Sequence, residues 1–211
     1  MSGAGRISPH RARRLNDVRR LRTQVSEQDL VRLLALRGHE DVLDLGSGTG
    51  FYTDRIAALT TGIVYAVDLQ PGMHEQHRER GVPTNVRLIA GDITALPVAP
   101  MRAGPTPVAG VALQPHSVDL ACTIAVWHEI NGKLDLQGLA TVLRPDGRVV
   151  VVDWRKDPES WESGPPREVR SSKEETAHSL ASYFTIDGVE DLGRFMFAVA
   201  ARLPKAVPSL A

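Results

Sequence analysis

The sequence contains one cysteine, Cys122, among 211 residues. A single thiol cannot form an intramolecular disulfide, and it excludes a zinc site built from cysteines. Neither sign of charge is in excess, because 25 Lys and Arg balance 25 Asp and Glu. This balance provides no overall field that would select nucleic acid or an anionic membrane as a partner.

Long apolar runs are also missing. Residues 120–127 form one of the longest uncharged stretches, which is far short of the ~20 residues that a membrane span needs. The first residues are rich in Arg and Gly and lack the apolar stretch of a secretory signal. We therefore expect a soluble, cytoplasmic protein with a single compact core.

Short β-branched runs alternate with helix-like stretches after residue 40, a pattern that predicts a parallel sheet covered on both faces. The predicted strands are 41–45, 62–68, 85–90, 118–124 and 148–154, and the predicted helices are 50–59, 71–80, 134–143 and 173–182. Two later strands, 183–189 and 194–203, should be antiparallel because no crossover helix fits between them. The predicted fold class is α/β: a Rossmann-like seven-stranded sheet of five parallel strands plus an antiparallel C-terminal pair.

Two segments lie outside this alternation. Ser26 and Asp29 resemble a capping box and predict a helix through residue 37, which Gly38 would end. Residues 97–115 contain five prolines, and we expect a loop that is disordered or loosely packed.

A glycine-rich turn follows the first predicted strand, with Gly46, Gly48 and Gly50 at alternate positions. Glycines permit a tight turn and close approach to a ligand at the helix N-terminus. A turn without a ligand and a dinucleotide-binding turn are the alternatives. The dinucleotide pattern G-x-G-x-x-G would need glycine at Phe51, and it leaves Asp44 unexplained.

This segment closely resembles the first motif of class I S-adenosylmethionine (SAM)-dependent methyltransferases. That motif consists of an acidic residue, then any one residue, then G-x-G-x-G. The resemblance implies that the turn approaches the methionine moiety and that Asp44 helps to fix its ammonium group. A cationic ammonium group is a suitable partner for a carboxylate, whereas an anionic pyrophosphate is not. The group that includes ubiquinone and menaquinone biosynthesis methyltransferases is the most similar. The resemblance implies a SAM-binding methyltransferase domain over residues 41–211, and the arginine-rich residues before it predict a basic N-terminal helical arm or lid over residues 1–40.

Two further carboxylates fit this interpretation. Asp68 ends the second strand, 18 residues after Gly50, where a ribose diol would bind. Asp92 could be a simple turn residue, whereas the resemblance implies a hydrogen bond to the adenine amino group. Leu69 and Met73 would cover the adenine, although Met73 also suits a helix core. The predicted cofactor-binding residues are Asp44, Gly46, Ser47, Gly48, Gly50, Asp68, Leu69, Met73, Asp92 and Ile93.

His128 is the candidate general base, because it follows the fourth strand at the sheet edge where ligands bind. The alternative is a histidine satisfied by loop hydrogen bonds. Asp153, at the same edge, is expected to position a loop. Methyl transfer needs a base only if the acceptor must lose its proton. No metal ligand is predicted, and the proline-rich insertion prevents us from inferring the substrate from the resemblance.

The N-terminus is strongly basic, with seven arginines beside one acid in the first 22 residues. The seven arginines are Arg6, Arg11, Arg13, Arg14, Arg19, Arg20 and Arg22. Such a run can bind RNA phosphates, but a solvated face or a lid is the more common role.

We expect a small-molecule methyl acceptor. The alternatives are an NAD(P)-dependent oxidoreductase, although no Tyr-x-x-x-Lys pair is present, and a non-catalytic SAM-binding protein.

Overall fold

The computed structural model describes residues 14–96, 113–157 and 163–204. Its strands are β1 (Val42–Leu45), β2 (Val64–Asp68), β3 (Val86–Ala90), β4 (Val118–Ile124), β5 (Leu143–Trp154), β6 (Thr185–Leu192) and β7 (Met196–Arg202). Its α-helices, in chain order, are α1 (Arg20–Thr23), α2 (Glu27–Leu34), α3 (Phe51–Ala57), α4 (Pro71–Arg80), α5 (Leu136–Val142) and α6 (Lys173–Leu180). No helix within the described ranges is long and apolar enough to cross a membrane.

The strands form one seven-stranded sheet in the order β3-β2-β1-β4-β5-β7-β6. Neighbouring strands from β3 to β5 pair in parallel, whereas β7 is antiparallel to both β5 and β6. The predicted fold class is therefore confirmed. The sequence did not predict that β7 inserts between β5 and β6, because strand patterns carry no information on the order of strands in a sheet.

A hydrophobic core covers each face of the sheet. Successive side chains of β1 point to opposite faces and therefore belong to different cores. Val42 belongs to one core with α2 and α3, whereas Leu43 and Leu45 belong to the other with α5 and β7. Asp44 therefore points to the same face as Val42. This places a carboxylate in an otherwise apolar layer beneath α3.

Several predicted boundaries differ from the observed ones by a few residues, and two of these differences have a clear structural reason. Helix α2 ends at Leu34 because Ala35 already adopts a left-handed conformation, with φ of 43°, so the helix stops before Gly38. Strand β5 begins at Leu143, and its pairing with β4 shifts register between Val118 and Leu120. The predicted strand began only at residue 148, so the prediction left out the residues of this irregular pairing. Arg6, Arg11, Arg13 and residues 97–112 of the proline-rich segment lie outside the described residues.

Candidate functional site

A cavity of about 190 Å³ opens at the carboxyl ends of the parallel strands. β1 pairs with β2 on one side and with β4 on the other, so the strand order reverses at this point. Open α/β sheets bind ligands at such a switch point. The described lining comes from the ends of β1, β2 and β4, from the segment after β3, and from Leu15 and Arg20 near the N-terminus.

The glycine-rich turn forms the floor of this cavity. Gly46, Gly48 and Gly50 all have positive φ, which L-residues with a side chain rarely adopt. A Cβ on Gly50 would overlap the imidazole ring of His77 on α4, whereas no atom lies within 4 Å of a Cβ placed on Gly48. Gly50 is therefore required for packing, and Gly48 faces open space in the cavity.

Asp44 lies directly beneath the turn and is 3% exposed. Its Oδ2 accepts a hydrogen bond of 2.6 Å from the Thr53 hydroxyl on α3. Burial raises the pKa of Asp44 from 3.8 to about 6, and the Thr53 hydrogen bond opposes that rise. A buried carboxylate of this kind is stabilised by a cation nearby, so Asp44 fits the ammonium group of an amino-acid ligand.

Asp68 holds the turn and also faces the cavity. Its Oδ2 accepts a 2.8 Å hydrogen bond from the Gly48 amide, and its Oδ1 accepts one of 2.8 Å from the Gln70 amide. Each oxygen of an ionised carboxylate has two acceptor positions, so Asp68 can still accept the two hydroxyls of a ribose.

Asp92 fixes the turn after β3 with one carboxylate oxygen and leaves the other without a donor among the described residues. Its Oδ1 accepts hydrogen bonds from the Thr94 amide at 2.8 Å and the Thr94 hydroxyl at 2.7 Å, which fixes the turn after β3. Among the described residues, nothing donates to Oδ2. Because Asp92 lines the cavity, this oxygen is available to an amino group such as that of adenine.

Apolar side chains line the same end of the cavity. Ile93 and Met73 are buried, whereas Leu69 is 65% exposed at the rim. Met73 packs against Leu15 from the N-terminal segment. A flat aromatic base between these side chains would cover apolar surface that is otherwise partly in water.

His128 and Asp153 form a pair at the ends of β4 and β5. The Nδ1 of His128 lies 2.8 Å from Oδ1 of Asp153, and the His128 amide donates to Oδ2 at 2.9 Å. An ionised carboxylate only accepts hydrogen bonds, so Nδ1 carries a proton and Nε2 of the neutral ring has a free lone pair. The His128 side chain is 11% exposed. His128 is not among the cavity-lining residues, although Val126 and Glu129 on the same loop are.

Seven of the sequence-predicted residues line the cavity together. They are Gly46, Gly48, Asp68, Leu69, Met73, Asp92 and Ile93. Asp44, Ser47 and Gly50 lie beneath it instead, and Ser47 uses its amide to donate to the carbonyl of Val67.

Sequence reasoning missed several lining residues, notably Leu15, Arg20 and Ile130. Arg20 is one of seven similar arginines, and no local pattern distinguishes it from the others. Thr53, the partner of Asp44, was also missed. A signal for Thr53 was present in the sequence. Thr53 lies in the first turn of the helix that follows the glycine-rich turn, and that part of the helix must pack over β1, which carries Asp44.

No cluster of three or more metal-binding side chains occurs in the part of the chain that the structure describes. Cys122 is buried, and burial raises the pKa of its thiol well above the usual range. The thiol is therefore protonated and does not contribute a nucleophile to this site.

Comparison with known proteins gives a consistent result. The family model described as "Methyltransferase domain" matches residues 42–147, from β1 to the start of β5. An uncharacterized methyltransferase-like protein of Schizosaccharomyces pombe is 30% identical over 121 residues. That match covers 57% of this chain and 41% of the yeast protein, so the chain spans less than half of that relative.

Solved structures share the fold over nearly the whole chain. A SAM-dependent methyltransferase from Aquifex aeolicus superposes with a TM-score of 0.76 at 24% identity, covering 94% of this chain and 100% of the other. A geranyl diphosphate C-methyltransferase from Streptomyces coelicolor superposes with a TM-score of 0.61 at 14% identity, covering 84% of this chain and 77% of the other. At these identities the superpositions establish the fold.

Proposed function

The chain belongs to the methyltransferase domain family of class I, SAM-dependent methyltransferases, and we propose that it methylates a small-molecule acceptor from SAM bound in the cavity described above. One observation carries the proposal: Gly48, Asp68 and Asp92 converge on a single cavity at the switch point of the sheet. The NAD(P)-dependent oxidoreductase alternative has no comparable support, because it leaves the buried Asp44 without a role.

The residues around the cavity fit SAM group by group. Asp44 suits the ammonium, Asp68 the ribose diol and Oδ2 of Asp92 the adenine amino group, while Gly48 leaves the space that the amino-acid moiety would need. When bound, SAM supplies an electrophilic methyl group on a sulfonium, and the leaving thioether is neutral. The task of the chain is therefore to hold the acceptor in line with that methyl, an effect worth up to ~7–11 kcal/mol in well-oriented systems.

We assign His128 as the general base for an acceptor that must lose a proton. The hydrogen bond to Asp153 supports this assignment, because it fixes the ring so that Nε2 has the free lone pair. The loop that carries His128 also contributes Val126 and Glu129 to the cavity wall. An acceptor lying across this loop, above the ends of β4 and β5, could present its proton to Nε2 and its nucleophilic atom to the methyl group.

A small acceptor is favoured by the site itself. The cavity measures about 190 Å³, and Leu15 and Arg20 of the N-terminal segment form part of its wall. The structurally similar Streptomyces coelicolor protein is described as acting on geranyl diphosphate, a small molecule. The membership in the ubiquinone and menaquinone group stays a prediction.

The direct experiment is to incubate the protein with methyl-labelled SAM and a metabolite extract, and to follow labelled products by mass spectrometry. We expect label in one or a few small molecules, with release of the demethylated cofactor. The matched control is Asp44→Asn, which keeps the side-chain size and should lose transfer. Label that enters only RNA or protein would refute the small-molecule assignment.

A further inference from the structure

Arg170 is the least exposed arginine or lysine in the part of the chain that the structure describes, at 4%. It belongs to residues 163–172, the segment that leads from the end of β5 into α6. Burying a guanidinium is costly unless its donors find acceptors and its charge finds a partner. At Arg170, backbone carbonyls meet the first requirement and acidic side chains meet the second.

The hydrogen bonds of Arg170 hold the backbone around it in place. Nε donates to the carbonyl of Pro165 at 2.8 Å, and Nη1 donates to the carbonyl of Arg155, also at 2.8 Å. Nη2 donates to the carbonyls of Ser163 and Pro165. These carbonyls are neutral, so they satisfy the donors of the guanidinium without cancelling its charge.

The same contacts place the positive charge at the end of β5. The guanidinium carbon lies 5.8 Å from the ring centroid of Trp154, and Trp154 and Arg155 are the two residues that follow Asp153. Gly164 has φ of 86°, and a Cβ on it would overlap the Trp154 ring. The segment therefore packs closely against the end of the strand that carries Asp153.

Three acids attract the Arg170 guanidinium. Burial lowers the pKa of Arg170, and the attraction of Asp153, followed by that of Asp157 and Glu168, opposes this lowering. Asp153 is 2% exposed, whereas the Asp157 side chain is 37% exposed. Charges interact more strongly away from solvent. Asp153 is therefore the buried negative charge that Arg170 balances.

The negative charge of Asp153 decides which nitrogen of His128 carries the proton. Oδ1 of Asp153 lies 2.8 Å from Nδ1 of His128. An ionised carboxylate only accepts hydrogen bonds, so it keeps the proton on Nδ1, whereas a protonated carboxyl could donate to Nδ1 and leave the ring proton on Nε2. A ring next to Asp153 that lacked the nearby positive charge would also hold a second proton more tightly. Either change would occupy Nε2.

We propose that Arg170 is a positioning residue, whose buried positive charge keeps Asp153 as a hydrogen-bond acceptor and thereby keeps Nε2 of His128 free. This inference rests on the proposed function, because only there does His128 act as a general base. It gives the segment of residues 163–172 a role in the reaction in addition to packing against Trp154.

The test is ¹⁵N NMR of the histidine rings in the ligand-free full chain at pH 7.5, with His128→Gln identifying the His128 signals. We expect Nε2 of His128 to be unprotonated in the wild type. In Arg170→Gln, the ratio of protonated to unprotonated Nε2 should rise ~10-fold or more. Arg170→Lys keeps the charge and should stay within about threefold of the wild type.

Activity provides a second measurement. In the labelling experiment with methyl-labelled SAM, Arg170→Gln should transfer label ~3–10-fold more slowly at pH 7.5, with SAM affinity within about threefold of the wild type. Transfer should recover as the pH is raised, because the additional proton is then lost. A purely structural defect in the segment would not recover in this way.

Arg167→Gln is the matched control, because it removes the same charge from the same segment at an exposed position. Arg167 also donates to a backbone carbonyl, that of Lys156 at 3.1 Å. This variant should leave the state of the His128 ring unchanged.

A free Nε2 in folded Arg170→Gln would overturn the proposal, and so would a protonated Nε2 in the wild type. An equal effect of Arg170→Lys and Arg170→Gln would also overturn it, because packing and not charge would then be the role of Arg170. Backbone amide spectra show whether each variant folds, and Arg170→Lys still tests the proposal if Arg170→Gln does not. The ring measurement needs neither SAM nor an acceptor, so a failure to bind SAM would refute the proposed function separately.

Discussion

Oδ2 of Asp44 accepts a 2.6 Å hydrogen bond from the Thr53 hydroxyl, and both side chains are buried between β1 and α3. The bond ties the strand before the glycine-rich turn to the helix after it. It also keeps a carboxylate in an apolar layer, where the charged form is disfavoured. Keeping this carboxylate charged therefore costs the ligand-free protein stability, a cost that the proposed attraction of Asp44 to the ammonium group of SAM would offset.

Asp44→Asn should stabilise the ligand-free protein at neutral pH. The pKa of Asp44 rises from 3.8 to about 6 in the folded state, so this carboxyl contributes stability below about pH 4 that is lost as the pH rises through about 6. Asn stays neutral throughout, so the variant should exceed the wild type in free energy of unfolding by up to roughly 3 kcal/mol above pH 7. Urea unfolding at pH 4 and pH 7.5 measures the difference, which should vanish at the lower pH. A variant less stable than the wild type at pH 7.5 would show that this account of Asp44 is wrong.

Gly48→Ala and Gly50→Ala should fail in different ways, although both place Ala at positive φ. The added methyl group meets His77 in Gly50→Ala but only open cavity in Gly48→Ala. Gly50→Ala should therefore lose several kcal/mol of stability, whereas Gly48→Ala should lose ~1 kcal/mol and bind SAM at least ~10-fold more weakly. Thermal unfolding and calorimetric titration separate the two effects. The opposite assignment of the losses would contradict the placement of the turn.

Asp92→Asn should change which base the cavity accepts. The Asn carbonyl oxygen can replace Oδ1 in the turn with Thr94, which leaves an amide NH₂ facing the cavity. Two donors would then meet at the adenine amino group, and SAM affinity should fall ~10–100-fold. The inosine analogue of SAM has a carbonyl at that position and should bind the variant more tightly than SAM does. An unchanged preference for SAM would remove Asp92 from adenine recognition.

His128→Gln should lower turnover of the true acceptor by ~10²–10⁴-fold while leaving SAM affinity within about threefold. Asp153→Asn should lower turnover as well, because Asp153 positions the His128 ring. If Asp153 acts through His128, the double variant should be no slower than His128→Gln alone. Additive losses would assign Asp153 a separate structural role, and undiminished turnover in His128→Gln would exclude the general base.

Most of the fold could be predicted from local patterns, and the reasons are physical. Alternation of β-branched runs with helical stretches gives strands and helices, and the short link before β7 gives an antiparallel pair. Asp44 and the glycines stood out because their conformational demands are local. The last residue of α2 and the first residue of β5 were not predicted. The first depends on the left-handed conformation of Ala35, and the second depends on an irregular pairing with β4.

Long-range contacts explain what the sequence left open in the site. Nothing near Arg20 in the sequence distinguishes it from Arg19 or Arg22, since its place in the cavity wall depends on its contacts with Phe51 and Tyr52 after the glycine-rich turn. The pairing of His128 with Asp153 likewise depends on the adjacency of β4 and β5. Both residues were noted at the same sheet edge, but their contact follows only from the strand order.

The most direct measurement is calorimetric titration of the full chain with SAM, with its demethylated product S-adenosylhomocysteine, and with NAD. We predict saturable binding of both sulfur compounds at one site per chain and no binding of NAD. Asp44→Asn should weaken both sulfur compounds at pH 7.5. Binding of NAD with neither sulfur compound bound would contradict the assignment of this cavity to SAM.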